Sequence, residues 1–219
     1  MIKVTRILIV MFFVILGTLG ISFAEQKNSF SDRSPADEFG GPQKGEIAPN
    51  ALLTRLDGRE VELSEYIGKL PVVLELGSYT YPIFRQKHKG MEALYAKYGN
   101  EATFFVIYVI EAHPHGDICP YTGQEWVTQE NKNQGILYSQ PVNHAQRLEL
   151  AKKAQADLGI RIPILIDDMD NSTWRAYGRA PNAAYLIGID GRIRVRQGWL
   201  DPAGLKQALE YELLTTNNK

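Results

Sequence analysis

Val72-Val73-Leu74-Glu75-Leu76-Gly77-Ser78-Tyr79-Thr80-Tyr81-Pro82 is the stretch whose reading decides the fold. Its first five residues form a short, mostly apolar run suited to a buried strand. Gly77 breaks that run, and Pro82 is suited to the first position of a helix, where its missing N–H is not needed. Met91, Leu94, Tyr95 and Tyr98 then recur at helical spacing, and Gly99 closes the helix. Ala102 to Ile110 is rich in β-branched and aromatic residues and predicts a second buried strand. Strand, loop, helix and strand make a βαβ unit, which implies a parallel pair joined by a right-handed crossover.

Upstream, Asp57-Gly58 signals a hairpin turn between two short alternating stretches, and Ser64 is placed to cap one helical turn closed by Gly68. Downstream, a polar stretch runs from Pro114 to about Pro141. Leu148, Ala151, Ala154 and Leu158 mark a helix ended by Gly159, and Pro163 to Ile166 a third strand. Asn171 or Ser172 suits the cap of a short helix. Tyr185 to Ile189 and Arg192 to Arg196 predict a hairpin about Asp190-Gly191. Asp201-Pro202 then starts a final helix with Leu205, Ala208, Leu209 and Leu213 on one face. This order resembles a thioredoxin-like fold: α/β, a central mixed sheet flanked by helices, with an N-terminal hairpin extension. In that fold a cis proline precedes the last hairpin, so Ala180–Pro181 is expected to be cis and to face the 77–82 loop. A plain turn proline is the commoner case in general.

The 219 residues suffice for one domain with a core and some extra segments. The net charge of −1, with no basic block, argues against nucleic acid as a partner. Lys3 and Arg6, the apolar run Ile7–Leu16 and the small residues of Ser22-Phe23-Ala24 compose a secretory signal. Residues 1–24 are thus expected to be a signal peptide, 25–45 a flexible linker and 46–219 the folded domain. The chain is then exported, periplasmic or secreted, with no stable membrane anchor after cleavage. The other reading of Ile7–Ala24 is an uncleaved anchor, since it is just long enough to span a bilayer. Cys119 is the single cysteine, so no intramolecular disulfide is available.

In an α/β sheet, ligands bind beyond the carboxyl ends of the strands. Two loops leave such ends. The first carries Tyr79, Thr80 and Tyr81 into a helix N-terminus, the place where a thiolate would be stabilised. A phenol is neither a good nucleophile nor a two-electron redox centre near neutral pH. Tyrosines that simply pack a groove are the more ordinary reading. In the second loop, Glu111 and His113 follow the second strand and suit a proton relay. Glu111, His113, His115, Asp117 and Cys119 alternate, so an extended chain would put metal-ligand types on one side; Pro114 and Gly116 argue for a bent loop. Cys119 is an alternative nucleophile resolved by an external thiol, or an inert buried thiol. His88 reads as a surface residue among Lys87, Lys89 and Gly90, and Trp126, Trp174 and Trp199 as packing.

These residues resemble the iodothyronine deiodinase family. Its motif Gly-Ser-Cys-Thr-selenocysteine-Pro-Pro-Phe is matched by Gly77-Ser78-Tyr79-Thr80-Tyr81-Pro82-Ile83-Phe84. Glu111-Ala112-His113-Pro114 matches its Glu-Ala-His-Pro, and His144 in Asn143-His144-Ala145-Gln146-Arg147-Leu148 its second active-site histidine. Asp167-Asp168-Met169-Asp170-Asn171 and Tyr177-Gly178-Arg179-Ala180-Pro181, followed by Tyr185, match two further segments. The resemblance spans about residues 46 to 214. It implies a thioredoxin-like fold. In active members a selenocysteine removes iodine from an aromatic ring of thyroid hormone while glutamate and histidine supply protons.

Carried over, the resemblance makes Tyr81, Tyr79, Glu111, His113 and His144 the active-site positions, with Tyr81 at the nucleophile's place. Pro181, Thr80 and Tyr185 become binding residues. The departures are Tyr81 for selenocysteine, Tyr79 for the neighbouring cysteine, Asn182-Ala183 for a Glu-Arg pair, and a longer, different 114–141 segment. The expectation is a binding or interaction module without redox catalysis or cofactor, holding a small aromatic ligand or peptide in a groove. The alternatives are an oxidoreductase working through Cys119, or a metal site at His113, His115, Asp117 and Cys119. N-terminal sequencing of the exported protein should begin at or within a few residues of Glu25; full-length chain in the membrane fraction would establish an anchor instead.

Overall fold

The computed structural model describes residues 39–217; the expected signal peptide and most of the expected linker lie outside them. Seven strands form one mixed sheet in the order β2-β1-β5-β4-β3-β6-β7. β1 (Leu52–Arg55) and β2 (Glu60–Glu62) are the antiparallel hairpin about Asp57-Gly58. β3 (Val72–Gly77), α1 (Pro82–Tyr98) and β4 (Thr103–Tyr108) are the βαβ unit, with β3 and β4 parallel. β5 (Ile164–Ile166) joins β4 in parallel and β1 in antiparallel sense. β6 (Ala184–Ile187) and β7 (Ile193–Gln197) close the other edge as a hairpin. The helices are α2 (Gln129–Gln134), α3 (His144–Leu158), α4 (Ser172–Ala176) and α5 (Pro202–Asn217). Among the described residues no helix is long and apolar enough to cross a membrane.

Strand alternation builds two apolar layers. Val73, Phe104, Val106, Tyr108, Ala184 and Leu186 face α1, α3 and α5. Val72, Leu74, Leu76, Phe105, Ile107 and Tyr185 face the N-terminal segment and α4. Both central strands are buried on both faces, which explains their near-continuous apolar sequence.

Four expectations change. The Ala180–Pro181 bond is trans, as is every peptide bond among the described residues. The chain reverses at Gly178, whose φ of +80° supplies the turn before β6 without a cis bond. The single helical turn at Leu63–Glu65 is capped by Glu62, not by Ser64: Glu62 and Glu65 exchange side-chain-to-backbone bonds. The 114–141 stretch contains α2, begun by Thr128, whose hydroxyl accepts the Asn131 N–H at 3.1 Å. Residues 39–45, expected to be linker, are held to the domain. Arg179 N–H donates to the Phe39 carbonyl at 2.9 Å and Gly45 N–H to that of Ile193 at 2.8 Å.

Gly77 sets how closely α1 approaches the sheet. A Cβ there would lie 2.2 Å from Cδ2 of Phe84, in the first turn of α1. Gly77→Ala is therefore expected to displace the start of α1 and destabilise the domain by about 1–3 kcal/mol, the usual cost of overpacking. Denaturant unfolding checks this, and an unchanged midpoint would mean that Phe84 has room to yield.

Candidate functional site

Two loops at the carboxyl ends of β3 and β4 are stitched together by one buried carboxylate. Glu111 is fully buried. One of its oxygens accepts the Thr80 N–H at 2.8 Å and the Thr80 hydroxyl at 2.7 Å. The other accepts the Tyr108 hydroxyl at 2.5 Å. The Tyr108 hydroxyl accepts the Tyr79 N–H at 3.2 Å, and the Thr80 hydroxyl accepts the His113 N–H at 3.1 Å. Ala112 N–H donates to Ser78 Oγ at 3.2 Å. Burial raises the Glu111 carboxyl above the usual range; the Tyr108 and Thr80 donors and the Arg147 charge oppose the shift without cancelling it.

The outer side of the first loop is held just as firmly. Arg85, on α1, donates to the Tyr79 carbonyl at 2.7 Å and to Asn131 Oδ1 at 2.9 Å. Asn131, on α2, donates to the Thr80 carbonyl at 2.7 Å. Arg147, on α3, is 2% exposed and reaches the Asp167 and Asp168 carbonyls and Asn171 Oδ1. Sequence reading missed Arg85, Tyr108 and Asn131 as site-shaping residues. Arg147 was noticed only as a neighbour of His144.

Tyr81 is the residue before the first turn of α1, and no acidic side chain stands in that turn. Its ring stacks on His113 with centroids 5.6 Å apart. Burial holds its phenol far above the ordinary tyrosine range. His113 directs Nδ1 to the Trp126 carbonyl at 3.1 Å, so that nitrogen is the donor and Nε2 is left as the acceptor. Burial depresses its basicity, the Trp126 carbonyl opposes this, and the net shift is downward. Trp126 packs edge-on against His113 at 4.4 Å, and Trp199 lies 6.2 Å from both Tyr81 and Phe39. Phe39, Trp199, Tyr81, His113 and Trp126 thus form a continuous aromatic strip. Its inner Tyr81 is 5% exposed, while Trp126 and Trp199 are 48% and 42% exposed. The sequence reading gave both indoles to packing; neither belongs to a periodic element that would have marked it.

The other nominated residues make different contacts. Tyr79 sends its hydroxyl away from the strip, to Asp157, and packs against Tyr138 at 5.5 Å. Burial first, and then Asp157, hold its phenol well above the ordinary range. His144, the first residue of α3, lines a shallow pocket with Thr54, Gly58 and Glu60 beside the β1–β2 hairpin. Tyr185 belongs to the opposite apolar layer, where its hydroxyl donates to the Tyr177 carbonyl. Pro181 is buried, and its successor Asn182 forms a bridge with Trp199. Cys119 is fully buried as a free thiol. His115 is exposed beside Glu125 and Asp117 turns back to its own loop, so the alternating run does not converge; among the described residues no group of metal-ligating side chains gathers. His88, expected at the surface, is 2% exposed between Glu75 and Glu92. Its spacing from Phe84 and Met91, four and three residues away on the buried face of α1, was the available signal.

The fold is that of thioredoxin-like proteins. A thiol:disulfide interchange protein from a Bacteroides species superposes with a TM-score of 0.56 at 14% identity, over 78% of this chain and 91% of that one. The thioredoxin domain of a thiol-disulfide oxidoreductase from Bacteroides vulgatus gives 0.52 at 12% identity, over 76% and 98%. The iodothyronine deiodinase family model matches residues 31–207, and the chain belongs to that family. It is 29% identical to the chicken (Gallus gallus) thyroxine 5-deiodinase over 78% of this chain and 61% of that protein. With the sheep (Ovis aries) thyroxine 5-deiodinase it shares 30% identity over 69% and 48%. The chain therefore spans about half to three-fifths of the length of these relatives.

Glu111→Gln replaces a carboxylate that accepts three hydrogen bonds with an amide whose NH2 faces donors. It is expected to cost about 1–3 kcal/mol of stability. It should also free the Thr80 amide, read as faster hydrogen exchange there. Unchanged exchange at Thr80 would show that Arg85 and Asn131 alone hold the loop.

Proposed function

We propose that this chain is an exported member of the deiodinase family that has exchanged redox chemistry for binding, holding a flat aromatic ligand on the Trp126–His113–Tyr81–Trp199 strip. The observation that carries this reading is Tyr81 itself. It stands at the nucleophile's position at the head of α1, buried, protonated and stacked on His113. Reductive deiodination needs a nucleophile that is ionised at working pH and is regenerated by a thiol. A phenol oxygen does not cycle through a mixed disulfide or its selenium counterpart.

What remains suits recognition. Trp126 and Trp199, each nearly half exposed, flank the stack, and aromatic faces retain flat rings by offset stacking. Neutral His113 keeps an acceptor nitrogen at the strip. The relatives' name, thyroxine 5-deiodinase, makes an iodinated phenol the natural first probe. A peptide aromatic side chain offers the same chemistry.

The test is a side-by-side assay of wild type, Tyr81→Cys and Cys119→Ser with an iodinated phenol and excess dithiol. Wild type should bind the phenol, quenching tryptophan fluorescence, and release no iodide above background. Tyr81→Cys should gain a thiol that alkylates faster than buried Cys119, with weak iodide release. Turnover by wild type that disappears in Cys119→Ser would establish the Cys119 enzyme and overturn the proposal.

A further inference from the structure

A second ionisable cluster lies beneath the site, built from residues to which neither the family motif nor the proposed binding strip assigns a part. Glu75, on β3, is fully buried, and His88, nearly two turns into α1, is 2% exposed. His88 Nδ1 stands 2.8 Å from a Glu75 oxygen and Nε2 stands 3.2 Å from a Glu92 oxygen. An ionised carboxylate only accepts hydrogen bonds, so both contacts are made together only when both ring nitrogens carry protons. With both carboxylates ionised, this geometry is that of an imidazolium held between them. Glu92 is fixed as a carboxylate by the Arg161 and Ile162 N–H groups at 2.8 and 3.0 Å and by Arg161 Nε at 2.8 Å.

The far side of Glu75 leads to the aromatic strip. Its second oxygen accepts Asn182 Nδ2 at 3.2 Å. Asn182 is fully buried in the segment before β6. Its carbonyl accepts the Leu200 N–H at 3.0 Å, and it forms the bridge with Trp199, whose ring is tilted against that of Tyr81 with centroids 6.2 Å apart. One carboxylate therefore joins α1 to Asn182, which is bridged to the segment that carries Trp199. The other charged groups around His88 are Arg85 and Lys89 from α1, Glu130 from α2 and Asp157 from α3, all lining one cavity beside it. Arg85 pairs with Glu130 at 3.4 Å and Asp157 with Lys153 at 3.1 Å.

We propose that His88 is a proton-operated latch: its imidazolium holds Glu75 in place, and through Asn182 it sets the position of Trp199 against Tyr81. Loss of the proton leaves one N–H to serve two carboxylates and removes the positive charge 2.8 Å from fully buried Glu75. A buried charge without a counter-charge is costly, and movement of the groups that face it relieves that cost, as does uptake of a proton. Burial pulls the His88 imidazole down, Glu75 and Glu92 outweigh it, and the net shift is upward. The latch is thus closed below the ordinary histidine range near about 6.5 and opens as pH rises through the elevated folded-state value. The mechanism is independent of which ligand occupies the strip.

The experiment is a pH titration of the purified chain by NMR, following the His88 ring protons and the Trp199 indole N–H, assigned with His88→Gln and Trp199→Phe. The Trp199 signal is expected to move with the His88 midpoint, above the ordinary histidine value. Glu75→Gln should lower that midpoint by about one unit or more and uncouple Trp199, as expected when one of two opposing charges is removed. Asn182→Ser, which leaves the His88–Glu75 pair intact, should keep the elevated midpoint and lose the Trp199 response. A Trp199 signal that stays still across the His88 titration would overturn the latch, as would one that still follows it in Asn182→Ser.

Discussion

Glu111 brings a carboxylate into an interior that excludes water, and the fold meets the cost with donors from both site loops. Burying a charge is expensive unless it is hydrogen-bonded. Thr80 supplies an N–H and a hydroxyl from the loop after β3, and Tyr108 supplies a phenol from the end of β4. Neither loop can withdraw without stranding the carboxylate. Because Thr80 and Tyr108 also accept the His113 and Tyr79 N–H groups, the same few atoms fix the backbone on which Tyr81 and His113 are mounted. Gln140 completes the arrangement by bonding both backbone groups of Glu111.

The result is a rigid platform with an inverted electrostatic character. A helix N-terminus and a nearby basic group stabilise an anionic nucleophile. Here the residue in that place is a phenol kept protonated by burial, and the histidine beside it is kept neutral for the same reason. Charges are instead held below the surface, in the Glu111–Arg147 region and in the Glu75–His88–Glu92 cluster. The strip thus carries two part-exposed indoles, Trp199 and Trp126, on either side of the neutral Tyr81–His113 stack.

The fold was legible because its central unit is written in local signals: an apolar run, a breaking glycine, a first-turn proline and a second apolar run. The placement of Tyr79, Thr80, Tyr81, Glu111 and His113 beyond the carboxyl ends of those two strands was legible for the same reason. What sequence could not give was the direction of individual side chains. Tyr79 and Tyr81 are two apart, yet one turns to Asp157 and the other to His113. Tyr185 falls on the opposite layer because strand alternation gives the site face to Ala184 and Leu186. His88 looked solvated among lysines, and only its helical phase with Phe84 and Met91 betrays its burial. The trans Ala180–Pro181 bond escaped because Gly178 takes up the reversal. Asn131 and Trp126 lie in a segment without periodicity, where contacts across the fold decide everything.

The central claim is that Tyr81 serves as a neutral aromatic wall and not as a nucleophile. The most direct test is the phenolate absorbance of wild type minus that of Tyr81→Phe, followed as pH is raised on the folded protein. The account predicts no ionisation attributable to Tyr81 until the protein unfolds. A difference spectrum showing phenolate near neutral pH would contradict it, because Tyr81 would then be an activated anion at the head of α1.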